Sequence, residues 1–315
     1  MNININPPTQ DVIVQQFGPD DYIRSSASTV PEPKRQLEPV AKLIDVSRCI
    51  GCKACQSACS EWNDLSPEIE TNVGVYDNPH DLTPEAFTIM RFSEWVNPET
   101  DTFEWLIRKD GCMHCAEPGC LTACPSPGAI VQYSNGIVDF DHDKCIGCGY
   151  CVKGCPFNIP RISKKDHKAY KCTLCSDRIA VGQIPACAKS CPTEAIMFGA
   201  KADLKEHAKD RIADLNNRGY ENAGLYDPEG VGGTHVMYVL HHADQPNIYS
   251  NLPEEPRISP IVKTWKGVSK YLGLGAIGAA IAGAAAHALF MGPTRVKQHD
   301  ENEAEKALED SDHEK

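Results

Sequence analysis

Cys145-Ile146-Gly147-Cys148-Gly149-Tyr150-Cys151-Val152-Lys153-Gly154-Cys155-Pro156 decides the reading of this chain. Its cysteines stand at the spacing C-x2-C-x2-C-x3-C, and a proline closes the run. Three thiols within seven residues can wrap one compact group, while the fourth, set off by three more residues, turns away. Three related runs accompany it. Cys49, Cys52, Cys55 and Cys59 keep the spacing, but Ser60 replaces the proline. Cys112, Cys115, Cys120 and Cys124 widen the second gap to four residues and end on Pro125. Cys172, Cys175, Cys187 and Cys191 widen it to eleven and end on Pro192. The four runs use all 16 cysteines of the chain.

This is the spacing with which bacterial ferredoxins hold [4Fe–4S] clusters: three thiolates bind one cubane and the fourth ligates a second one. Such an exchange implies that runs pair, and spacing alone leaves open which pair with which. A disulfide framework has no reason to repeat C-x2-C at the head of every run, and cysteines that close together make strained bridges. Structural zinc also uses C-x2-C pairs, but a third cysteine three residues on exceeds what a zinc knuckle needs.

The repeat extends beyond the cysteines. Arg48-Cys49-Ile50-Gly51-Cys52 echoes Lys144-Cys145-Ile146-Gly147-Cys148, and the Gly128-Ala129-Ile130 after Pro125 echoes the Glu194-Ala195-Ile196 after Pro192. Residues 129–133 and 137–140 predict strands joined at Ser134-Asn135-Gly136, and Asn-Gly is a strong turn signal. The predicted fold is α+β, with two interleaved ferredoxin-like domains in residues 41–200 and a single C-terminal transmembrane helix. The net charge of −12 argues against a nucleic-acid partner and suits a carrier that docks on proteins.

Residues 1–40, polar and with six prolines, read as an extended arm. The start shows neither a charged segment leading into an apolar run nor a twin-arginine pair, so no export signal is expected. Residues 60–111 read as an insert in which Trp62, Trp95, Phe103 and Trp105 supply core bulk or stand beside a cluster, with 103–108 a strand. Arg161, Lys164, Lys165, Lys168 and Lys171 suggest a solvated loop; they also suit a docking surface or a field that tunes a cluster. Residues 201–262 read as an extension and linker. In it, 201–218 predicts an amphipathic helix with Leu204, Ala208, Ile212 and Leu215 on one stripe and Gly219 as its stop. Thr234 to His242 predicts a strand, and His241-His242 a surface pair. Gly230-Val231-Gly232-Gly233 precedes a strand instead of opening a helix, so it is no phosphate loop.

Residues 271–294 hold 24 positions without Lys, Arg, Asp or Glu, enough as a helix to cross a hydrocarbon core of ~30 Å. The predicted transmembrane segment is 263–294, and Gly275, Ala279 and Gly283 give it a small-xxx-small face for a partner helix. His287 within it reads as a donor to a partner helix or a lipid headgroup. Residues 295–315 read as an acidic disordered tail.

Specific stretches now carry a resemblance. Cys49 to Asp64 (CIGCKACQSACSEWND), Asp110 to Cys115 (DGCMHC), Lys171 to Cys175 (KCTLC), Gly230 to Asp244 (GVGGTHVMYVLHHAD) and the helix ending in Gly292-Pro293 resemble the iron–sulfur (beta) subunits of membrane-bound respiratory formate dehydrogenases. The resemblance spans about Leu43 to Pro293 and implies four [4Fe–4S] clusters. It implies that Cys49, Cys52, Cys55 and Cys191 hold one, and Cys172, Cys175, Cys187 and Cys59 its neighbour. It implies that Cys112, Cys115, Cys120 and Cys155 hold a third, and Cys145, Cys148, Cys151 and Cys124 the fourth. Nitrate-reductase-like relatives replace one ligand; here all sixteen positions are cysteine. The resemblance also implies a catalytic partner with a molybdenum or tungsten pterin and a cytochrome b partner that passes electrons to quinone. This chain would then relay electrons and have no catalytic residue of its own. Its rivals are the iron–sulfur subunit of another membrane oxidoreductase, such as a hydrogenase or polysulfide reductase, a scaffold with structural clusters, and a soluble ferredoxin. For topology, Lys263, Lys266 and Lys270 before the helix against Arg295 and Lys297 after it lean toward a cytoplasmic cluster domain. The resemblance implies a periplasmic one at the bacterial inner membrane, and the expectation follows the resemblance.

Overall fold

The computed structural model describes residues 17–27, 37–69, 71–98 and 100–290. In chain order these form β1 (Tyr22–Ser25), β2 (Val40–Asp45), α1 (Ala54–Trp62), β3 (Thr88–Val96), β4 (Phe103–Gly111) and α2 (Gly119–Ala123). Then come β5 (Ile130–Tyr133), β6 (Val138–Phe140), α3 (Tyr150–Gly154), β7 (Arg161–Ile162), β8 (Ala169–Tyr170), α4 (Ser176–Ala180) and α5 (Ala186–Lys189). The last elements are β9 (Ile196–Ala200), α6 (Lys201–Asn217), β10 (Gly224–Tyr226), β11 (Val236–Leu240) and α7 (Pro260–Phe290). Most of the expected arm, 1–16 and 28–36, and the expected acidic tail lie outside the described residues.

β2 is the centre of a four-stranded sheet ordered β10-β11-β2-β9, parallel to β11 and antiparallel to β9. Every residue of Val40-Ala41-Lys42-Leu43-Ile44-Asp45 is buried, so it does not alternate between apolar and polar. Side-chain direction still alternates. Ala41 and Leu43 pack with Met197, Met237 and Val239 beneath Leu204, Ala208 and Leu215 of α6. Val40 and Ile44 face the other way, into a core that contains Cys55, Cys115 and Cys187. The sheet is therefore a wall, with α6 on one face and cysteines on the other. On the helix side, Arg211 Nε donates to the buried Asp45 carboxylate at 2.7 Å. Two strands of this wall come from the segment read as an extension and linker, so residues 201–262 complete the sheet.

A second sheet has the order β1-β5-β6. β1 belongs to the segment read as an arm, yet it pairs with β5 through Tyr22↔Tyr133 and Ser25↔Val131. The β5–β6 turn needs Gly136 twice over. Its φ is +93°, and a Cβ there would lie 1.9 Å from the His235 ring.

β3 and β4 make a long hairpin from Thr88↔Gly111 to Val96↔Phe103. Its root is buried and its tip is not. Arg91 is enclosed by Asp77, Asp81 and Asp110, and Arg108 bonds Asp110 and the Tyr238 hydroxyl. The expected core role fails for three of the four aromatics: Trp62, Phe103 and Trp105 are 43%, 62% and 45% exposed. Trp105 and Phe92 instead contact Tyr76 on the outside of the hairpin, and Arg178 lies over the Trp62 ring.

Nor are His241 and His242 a surface pair. His241 stacks on Tyr220, and His242 contacts Trp95 and is within 2.9 Å of the Glu104 carboxylate.

α7 is 31 residues long, and from Thr264 onward it belongs to a second unit. Its stretch Leu272–Phe290 has a mean hydropathy of 1.7 over 19 residues, long and apolar enough to cross a membrane.

Candidate iron–sulfur centres

Each cysteine run folds the same way: an irregular C-x2-C segment followed by a short helix. The helices meet in pairs. α1 of the first run packs on α5 of the fourth, where Ser190 Oγ donates to the Ala54 carbonyl at 3.3 Å. α2 of the second run packs on α3 of the third, and here the backbones touch. A Cβ on Gly119 would lie 2.2 Å from the Gly154 carbonyl oxygen, and one on Gly154 2.7 Å from that of Gly119.

This packing sorts the thiols into four groups. Cys49 has Cys191 and Cys52 as thiol neighbours, and Cys55 has Cys187, Cys49 and Cys191. Cys59 lies with Cys172, Cys175 and Cys187 around one enclosed gap. Cys115 has Cys112, Cys120 and Cys155 beside it. Cys124, Cys145, Cys148 and Cys151 line another gap. The groups follow one another within electrostatic reach: Cys55 senses Cys187, Cys112 senses Cys172, and Cys120 senses Cys151. All sixteen cysteines are free of disulfides. Cys52 and Cys148 are the exposed ones, one in each outermost group.

Residues 48–129 and 103–201 each match the family of 4Fe-4S dicluster domains, and residues 258–301 match the family "Formate dehydrogenase N, transmembrane". The formate dehydrogenase-O iron-sulfur subunit of Escherichia coli (strain K12) is 58% identical over 286 residues, 90% of this chain and 95% of that one. The nitrate-inducible formate dehydrogenase iron-sulfur subunit of the same organism is 58% identical over 287 residues, 90% and 97% of the two chains. That of Haemophilus influenzae is 60% identical over 278 residues, 87% and 88% of the two chains. The chain belongs to the iron–sulfur subunits of the formate dehydrogenases. The subunit carries four [4Fe–4S] clusters and is a single-pass membrane protein.

The thiol groups of this iron–sulfur subunit suit a polynuclear centre. Among the described residues, no three His, Cys, Asp or Glu side chains converge tightly enough to chelate a single metal ion. The thiols ring a space instead of a point, as ligands at the corners of a cubane must. Burial raises the Cys55, Cys151 and Cys175 thiols to about 12 and Cys155 to about 11. Metal binding must therefore displace their protons. Cys172 departs from this pattern. Burial opposes its ionisation too, but Lys42, Lys109, the Leu174 N–H and Lys171 outweigh it and hold its thiol below the ordinary range.

Two kinds of functional residue escaped sequence reasoning. The first is the residue two after each leading cysteine. Gly51, His114, Gly147 and Leu174 all have φ between +45° and +68°. In that conformation the His114 N–H points at Cys112 Sγ (3.5 Å) and the Leu174 N–H at Cys172 Sγ (3.4 Å). The Gly51 N–H likewise bonds Cys49. Such bonds favour the anionic sulfur. Gly-Cys in the two Cys-Ile-Gly-Cys segments was a visible signal; His and Leu at the same place were not. The second kind is buried lysine. Lys42, Lys109 and Lys171 are 1%, 3% and 5% exposed. Lys171, expected in a solvated loop, donates to the carbonyls of Val138 (2.6 Å) and Cys172 (2.9 Å) and lies over the Phe140 ring.

Proposed function

We propose that this chain relays electrons from a formate-oxidising catalytic subunit with a molybdenum or tungsten pterin to a membrane cytochrome b subunit and quinone. The observation that carries the reading is the unbroken succession of four thiol groups, with an exposed cysteine at each end. In this reading the ligand sets are Cys49, Cys52, Cys55 and Cys191; Cys59, Cys172, Cys175 and Cys187; Cys112, Cys115, Cys120 and Cys155; and Cys124, Cys145, Cys148 and Cys151. Their mutual proximity supports this grouping. The clusters, when bound, supply one-electron carriers. The protein fixes their separations, keeps water out and sets their relative ease of reduction through N–H donors and lysines.

The catalytic partner docks at the Cys52 end and the membrane partner at the Cys148 end. Ile50 beside Cys52, and Ile146 and Tyr150 beside Cys148, are 64%, 66% and 58% exposed, so both ends offer apolar surface to a partner. Family membership supports a periplasmic cluster domain at the inner membrane of a bacterium. The test is reduction of the clusters in the complex extracted from membranes. Formate is expected to bleach their visible absorption and a quinone analogue to restore it. Bleaching by dithionite but not by formate would sink the assignment, and bleaching by dihydrogen instead would move the chain to a hydrogenase.

A further inference from the structure

Lys42 occupies a position where an ammonium group is expensive. It lies in β2, one of the two inner strands of the four-stranded wall, between Ala41 and Leu43, and is 1% exposed. The alternation of the strand puts it on the same face as Val40 and Ile44, the face that looks onto the cysteines. Its Nζ lies 3.7 Å from Cys187 Sγ. It lines the gap ringed by Cys59, Cys172, Cys175 and Cys187, and Lys109 of β4 lines the same gap. A lone buried charge is expelled or neutralised unless a counter-charge faces it. Four thiolates outweigh the positive charge of an iron–sulfide core, so a cluster held in this gap is the anion that two buried ammoniums would face. At the first group Lys109 also faces Cys55, but Lys42 does not, and the neighbours of Cys49 are Cys191, Cys52 and the Asp45 carboxylate.

We propose that Lys42 and Lys109 are positioning charges for the Cys59–Cys172–Cys175–Cys187 site, two fixed cations that favour its reduced state and raise the reduction potential of that cluster above all. Reduction adds a negative charge to the site, and an ammonium within a few ångströms, screened by little water, stabilises the added charge. The inference rests on the ligand set proposed above.

The experiment is a potentiometric titration of the intact complex followed by electron paramagnetic resonance, with iron content measured alongside. A Cys59→Ser variant first marks the signal of this site. Lys42→Met keeps the stem and removes the charge. It should disfavour reduction of the marked cluster by tenfold or more, ~59 mV for a one-electron couple, with full iron and the other three midpoints moved less, the cluster beside Cys112 the most among them. Lys42→Arg, which keeps the charge, should titrate near the native midpoint. If Lys42→Met does not load iron, Lys109→Met is read in its place and should move the same signal in the same direction, together with that of the cluster beside Cys55. A fully loaded Lys42→Met complex that titrates like the native one would overturn the proposal. Loss of this cluster in both methionine variants would also overturn it, since the lysines would then hold the site together instead of tuning it. If instead a signal other than the one marked by Cys59→Ser moves most in Lys42→Met, the failure lies in the ligand set and not in the effect of the charge.

Discussion

At the scale of single residues, the site depends on backbone conformations that side chains resist. A residue with a Cβ loses roughly 1–2 kcal/mol in the left-handed region. His114 and Leu174 accept that loss and are both buried, at 1% exposure. Gly147 cannot be replaced so easily, because a Cβ there would lie 2.0 Å from the His167 carbonyl oxygen. Gly147→Ala should therefore lose the cluster ringed by Cys124, Cys145, Cys148 and Cys151. Iron content should fall by about a quarter, one of four clusters; an unchanged iron content would contradict this. Titration adds a second prediction. Burial, with Lys201 nearby, lowers the His235 imidazole to about 4, and burial with Lys171 and Lys42 lowers His114 well below its ordinary value. Both are neutral when folded and protonate near 6.5 when unfolded. The unfolded chain then binds more protons, so stability falls as pH drops from about 6.5 toward 4, by up to roughly 3 kcal/mol for His235 alone. Denaturant midpoints at pH 7 and pH 5 measure this loss, and His235→Gln should show a shallower dependence.

At the scale of elements, the wall of four strands carries the load. Leu204 of α6 is fully buried against β2 and β11. Leu204→Ala should destabilise the protein by about 2–5 kcal/mol, seen as an earlier denaturation midpoint with full iron at low denaturant. Asp45→Ala would leave Arg211 only Asp214 and the Ser47 hydroxyl and should lose about 1–3 kcal/mol, again seen as an earlier denaturation midpoint. The sequence made α6 legible because one of its faces meets solvent, which leaves Leu204, Ala208 and Leu215 as a stripe. It also made the β5–β6 hairpin legible through Asn135-Gly136. β2 was not legible. A strand buried on both faces has no alternation, and its Lys42 and Asp45 look like surface residues until their partners, more than 140 residues away, are in place. The exposed tip of the β3–β4 hairpin misled for the opposite reason. Trp105 and Phe103 have core composition, and composition does not say whether a partner or the core covers them.

At the scale of the whole molecule, four complete thiol groups should bind sixteen irons in the intact complex, four in each group. Metal analysis near half that number, or zinc in its place, would refute the cofactor content. The crossing of cysteines between runs makes a sharper demand. Cys155→Ser lies in the third run but should perturb the cluster beside Cys112, Cys115 and Cys120, leaving Cys145, Cys148 and Cys151 in place. A spectroscopic change confined to the third run's own cluster would contradict it. For orientation, protease added to spheroplasts should cut the cluster domain and spare a tag at the C-terminus. The reverse pattern would turn the chain over in the membrane.

The pairing of the helices also sets a timetable for biosynthesis. α2 and α3 belong to adjacent runs, so all the cysteines near them, from Cys112 to Cys155, leave the ribosome before Cys172 does. α1 instead waits for α5, and Cys49 must remain without its neighbour while the 141 residues up to Cys191 are made. The nascent chain thus finishes the half at its Cys148 end first and leaves all four thiols of its first run without their later partners meanwhile. A stalled or truncated translation product ending before Cys187 would be a half-metallated species, with the end proposed to receive electrons left open to oxidation.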